Sequence, residues 1–115
     1  MIGLDIKYIN ECDKYILQLS NFLDKVYEVT VKNENVEVTK THIGEFGSQL
    51  EELVKFIQNN KFLNEKIFSN EIDLKFALES FGEAFHSENY ELCSEILKYE
   101  IKYILYKWQQ KIKNV

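Results

Sequence analysis

The chain has no proline and no arginine, and only 4 glycines in 115 residues. Without proline it lacks the residue that most strongly breaks a helix. With little glycine it lacks the usual supply of left-handed turn positions. Both absences turn the reading away from loop-rich folds and towards helices. The missing arginine removes the planar, bidentate donor most used for phosphate and base recognition. All 14 basic residues are lysine, and the net charge is −5. Nucleic-acid binding rests on a positive footprint, so nucleic acid is not an expected partner.

Long apolar runs are missing too. No stretch approaches the length needed to span a bilayer, and the opening MIGLDIKYINEC has no basic segment ahead of an apolar one. No membrane association is expected, and the expected location is the cytoplasm. Cysteine is limited to Cys12 and Cys93, both on apolar helical faces, which fits reduced core thiols in that compartment. There is no Cys-x-x-Cys, no Gly-x-Ser-x-Gly and no phosphate-binding loop. Glu83-x-x-His86 has the spacing of a di-iron half-site, but such sites need two copies and two further glutamates. The only other histidine, His42, stands with Glu45 in the reverse order. His86 with a cysteine would make a thiolate pair, yet apolar neighbours raise a thiol's pKa and oppose that role. No catalytic residue, metal or cofactor is assigned, and an enzyme is the less favoured class.

What is present is periodicity. Hydrophobic residues make up 45% of the chain, enough for one core in one domain spanning residues 1–115. Tyr8, Ile9, Cys12, Tyr15, Ile16, Leu19, Phe22, Leu23 and Val26 predict a first helix over about 4–31. The stretch 29–39 is ambiguous. Its β-branched residues alternate around Asn33-Glu34-Asn35, a signal for a short hairpin. A loop at 33–35 followed by a helix from Val36 to about Asn60 fits better, with Phe46, Leu50, Leu53, Val54 and Ile57 inward. Gly44 and Gly47 within it suggest either a close helix approach or a frayed start. Residues 62–70 read as an apolar connector. A third helix begins near Asn70 with Leu74, Ala77, Leu78, Phe81, Ala84 and Phe85 on its face, and a turn at 86–88 leads to a capped final helix. The expected fold is all-α, a four-helix up-and-down bundle.

The final helix, about 89–113, organises the rest. A straight helical wheel puts Tyr90, Cys93, Leu97, Ile101, Ile104, Leu105, Trp108 and Ile112 on one broad face. A second stripe, Leu92, Ile96, Tyr99, Tyr103 and Tyr106, lies beside it. An arc this wide serves either two neighbouring helices or one neighbour and an outside partner. Glu100 and Lys107 fall inside the arc. The wheel sets Glu100 between Cys93, Ile96, Ile104 and Tyr103, where a carboxylate needs donors or stays protonated. Glu100 is therefore expected as a buried polar anchor of helix register, with Tyr8 and Tyr15 as candidate donors.

This last third resembles a group of small, uncharacterised bacterial all-helical proteins. The residues that carry the resemblance are Asn89-Tyr90, Ile96-Leu97, Tyr99-Glu100-Ile101 and Trp108. The resemblance implies a helical bundle. Its later helix carries a proline where this chain has Tyr103, so a proline kink is not implied here. The resemblance implies no activity, and two function classes remain. One is a non-enzymatic adaptor or chaperone-like bundle that binds a partner protein, or itself, through Leu92, Ile96, Tyr99, Tyr103 and Tyr106. The other is a bundle that handles a small molecule or metal.

Overall fold

Asparagine side chains set the helix boundaries. The structure, a computed structural model, describes residues 2–32, 34–68 and 73–113. Helix α1 runs Ile2–Lys32. Asn35 follows in extended backbone, and its side chain accepts from the Glu37 and Val38 N–H groups at 3.0 and 3.2 Å. That satisfies donors that the first turn of a helix leaves open, and helix α2 runs Val36–Gln58. The helix-after-loop reading of 29–39 holds for the described residues.

Residues read as a connector instead form a short helix. Asn59 ends α2, but Asn60 starts α3, Lys61–Phe68, by accepting from the Leu63 N–H at 2.9 Å. Asparagine is among the best residues for starting a helix, and Asn60 starts one directly behind the end of α2. Leu63 and Ile67 point inward from α3 and are fully buried. The expected cap at Asn70 lies outside the described residues. Helix α4 runs Asp73–His86, and after Glu88, at φ 58°, Asn89 caps α5 by accepting from the Leu92 N–H at 3.1 Å.

Helix α5 covers 90–113 as two α segments, Tyr90–Ile96 and Lys102–Lys113, joined by a π-turn at Leu97–Ile101. There the Lys102 N–H donates to the Leu97 carbonyl, five residues back. The described residues contain helices and turns and no strand.

Neighbouring helices run in opposite directions. Tyr8 meets Phe56, Tyr15 donates to Glu52 at 3.1 Å, and Phe22 meets Phe46, so α1 and α2 are antiparallel. Lys102 pairs with Asp24 at 2.6 Å and Lys98 lies over the Tyr27 ring, which sets α5 antiparallel to α1. Asp73 pairs with Lys107 and Phe85 with Tyr90, which makes α4 and α5 an antiparallel hairpin. The core is one continuous cluster through all five helices. At one end of it the buried Trp108 ring takes the edge of Phe68 at 5.2 Å, and Lys111 reaches the Ile67 carbonyl at 2.8 Å. These contacts tie α3 across the end of α5. The molecule is elongated, 49 × 23 × 20 Å.

Candidate interaction face

The outward side of α5 carries several large apolar side chains in solvent. Leu92 is 40% exposed, Tyr99 67%, Tyr103 58% and Tyr106 55%. Ile96, expected in the same stripe, is buried and belongs to the core. Most of the second stripe therefore faces solvent, and no helix among the described residues covers it.

The π-turn explains which residues changed sides. An extra residue in one turn makes everything after it lag a straight wheel by roughly one residue's rotation, about 100°. The buried arc then runs through Tyr90, Cys93 and Ile96 before the turn, Leu97 and Ile101 at its two ends, and Ile104, Leu105, Trp108 and Ile112 after it. Glu100 sits within the wide turn and swings out. It is exposed, so the expectation of a buried polar anchor is corrected. The donors proposed for it are elsewhere: Tyr15 is bonded to Glu52 and Tyr8 packs on Phe56, both on the α2 side. Lys107, also expected within the apolar arc, resolves its charge at the surface. Its ammonium pairs with Asp73 at 2.6 Å and lies 5.1 Å from the Tyr103 ring centre.

Helix α4 extends the exposed aromatic surface. Phe76 is 60% exposed and, with Tyr99, Tyr103 and the paired Asp73 and Lys107, lines a shallow groove of about 210 Å³ between α4 and α5. Phe76 was not among the residues expected to matter. The signal was available: it stands one position off the Leu74, Ala77 and Phe81 face, where a large aromatic has no core to fill. Leu78, expected on that buried face, is 39% exposed.

The chemistry of the remaining candidates is quiet. Burial pushes the Cys12 thiol up to about 12, with the Asp13 carboxylate adding to it, and burial also raises Cys93. Both are protonated at neutral pH and neither is an activated nucleophile. His42 bonds the Val38 carbonyl through Nδ1 at 2.8 Å and stacks on Phe22. His86 and Glu83 are exposed at the end of α4. Among the described residues no group of three metal-ligating side chains comes together, and no helix is long and apolar enough to cross a membrane. Compared with protein families, with curated proteins and with solved structures, the chain matches none.

Proposed function

We propose that the protein is a non-enzymatic interaction module, adaptor-like or chaperone-like. In this reading four main helices form an up-and-down bundle closed at one end by α3, and the outward face of α5 binds a partner protein or a second copy of the chain. The observation that carries it is the exposure of Leu92, Tyr99, Tyr103 and Tyr106 along one helix, with Phe76 beside them. Contiguous exposed apolar surface on a soluble protein is a common mark of an interface. Tyrosine is enriched at interfaces because it offers a large, stiff ring with a wettable end. Isolated surface aromatics are ordinary, but Phe76, Tyr99 and Tyr103 share one groove and are not a scatter.

The test is the pair Tyr103→Glu and Tyr106→Glu, followed by light scattering across a concentration series and by partner capture. The expected result is an unchanged helical spectrum and melting curve with weakened association. A variant that unfolds would place these tyrosines in the core. Unchanged association and capture would remove the face from consideration.

A further inference from the structure

The outward stripe of α5 has Tyr99 at its middle, seven residues after Leu92 and seven before Tyr106, and all three are exposed. At the usual rise per residue the stripe is about 20 Å long. Its charges change sign across that middle. Along the border that faces α1, Glu91 and Glu95 come first and line a groove with Tyr27 and Thr30. Lys98 and Lys102 follow on the same border. The Lys98 ammonium lies 5.2 Å from the Tyr27 ring centre, and Lys102 pairs with Asp24 at 2.6 Å. All four residues are exposed. Among the described residues neither glutamate makes an ion pair.

Two carboxylates followed by two ammoniums complement the same row read backwards. A two-fold axis across α5 near Tyr99 lays this border against the same border of a second copy, running in the opposite direction. Glu91 and Glu95 then lie along the second copy's Lys98 and Lys102, and Leu92 lies towards its Tyr106. A two-fold interface has to be self-complementary, and this row is. Charge opposes the parallel arrangement, which brings the acidic first halves of both helices together and adds the exposed Glu83 at the end of α4. The lysines have neighbours of their own, since Asp24 and Glu28 stand beside them. An exposed pair such as Asp24 with Lys102 is weak, and its ammonium can face a second carboxylate. Charge therefore sets the direction, and the apolar stripe supplies the contact.

We propose that α5 associates with the α5 of a second copy of this chain, antiparallel and about a two-fold axis near Tyr99. The proposal rests on the outward-face reading and narrows it to one occupant and one direction. A stripe about 20 Å long and about 10 Å wide covers much less than the roughly 800 Å² that each partner buries in a standard interface. The dimer is therefore weak and reversible, half formed on the order of 100 μM.

The experiment is sedimentation equilibrium of the full chain from about 10 μM to about 1 mM, at low ionic strength so that surface charges are not screened. Glu91→Lys with Glu95→Lys should weaken dimerisation by roughly tenfold, and so should Lys98→Glu with Lys102→Glu. The first pair moves the net charge from −5 towards zero, so general repulsion does not account for a loss there. The four substitutions together reverse the row, make it self-complementary again, and should return dimerisation to near the parent's. Helical spectra and melting curves check that each variant is folded. The milder pair Glu91→Gln with Glu95→Gln should weaken dimerisation by roughly threefold. A dimer that the lysine pair strengthens or leaves unchanged, or that the fourfold variant does not restore, would overturn the antiparallel contact and leave the outward-face reading in place. So would a parent that stays monomeric throughout yet loses partner capture on Tyr103→Glu with Tyr106→Glu. A dimer indifferent to that tyrosine pair would end both.

Discussion

Helices α2 and α5 are close in length and both lie antiparallel to α1, yet they treat their outward sides differently. Helix α2 sends Thr41, Glu45, Ser48, Glu51, Glu52 and Lys55 to solvent, with Glu51 and Lys55 paired one turn apart at 3.2 Å. Its large apolar residues after the first turn face inward at regular spacing, with Ile43, Phe46, Leu50, Leu53 and Ile57 buried. Helix α5 buries an equally full inward face and also carries Leu92, Tyr99, Tyr103 and Tyr106 outside. A helix whose only task is to close a core needs one stripe, and α2 has one. The second stripe on α5 lies outside the core. That separates a buried surface from an uncovered one.

The helices also differ in continuity, and deletions test this with the largest expected effect. Removing Ser48 from the regular α2 turns every later residue by about 100° relative to the earlier ones. Leu50, Leu53 and Ile57 then leave the core. At about 2–5 kcal/mol for each lost side chain, the loss is comparable to the whole of the roughly 5–15 kcal/mol that holds a typical domain together, so no cooperative melt is expected. Removing Glu100 should have the opposite outcome. The Lys102 N–H to Leu97 carbonyl bond then spans four residues instead of five, the π-turn becomes an ordinary α-turn, and both halves keep their faces. A cooperative urea transition for the Glu100 deletion and none for the Ser48 deletion is the expected pair. Equal damage from both would mean that the extra residue is not what the turn accommodates.

Within α5 the two faces should separate next. Trp108→Ala empties a fully buried site against Phe68 and should cost about 3–5 kcal/mol in urea unfolding. Tyr106→Ala, on the outward side, should stay within about 0.5 kcal/mol. A large loss for Tyr106→Ala would make the outer stripe structural.

The sequence carried this contrast only partly. The inward stripes of α1, α2, α4 and most of α5 were legible because burial imposes a 3.6-residue period that a wheel detects. The Tyr99, Tyr103 and Tyr106 stripe was visible as apolar surface, but not as exposed surface. Whether another helix covers a stripe depends on how helices pack, and periodicity within one helix is silent on that. Helix α3 was hidden because eight residues give barely two turns of pattern and because Asn60 reads equally as a stop. The π-turn left no mark either. It uses the ordinary residues Leu97-Lys98-Tyr99-Glu100-Ile101 and keeps Leu97 and Ile101 both in the core.

A smaller effect concerns the glycines of α2. A Cβ built at Gly44 or Gly47 meets nothing within 4 Å, so neither marks a close helix approach. Both lie in continuous helix with ordinary helical backbone. Gly44→Ala and Gly47→Ala should therefore each raise stability, by up to about 1 kcal/mol. A loss at either site would show that the apparent open space is used.

The smallest expected effect is at Glu100, and it bears most directly on the geometry of α5. On a straight wheel Glu100 lies among Cys93, Ile96 and Ile104, and a carboxylate there would need a buried donor. Replacing it with leucine would then strand that donor at a cost of about 1–3 kcal/mol, and glutamine would be milder. In the structure the π-turn carries Glu100 to the solvent side, next to the shallow groove that Phe76, Tyr99 and Tyr103 share. An exposed carboxylate bears no register, so Glu100→Gln and Glu100→Leu should both unfold within about 0.5 kcal/mol of the parent. Leucine at this position enlarges the apolar surface beside Tyr99 and Tyr103. It should therefore strengthen self-association or partner capture while leaving the urea midpoint where it was. A leucine variant that is markedly less stable than the glutamine variant would return Glu100 to the core and remove the π-turn from the account of this helix.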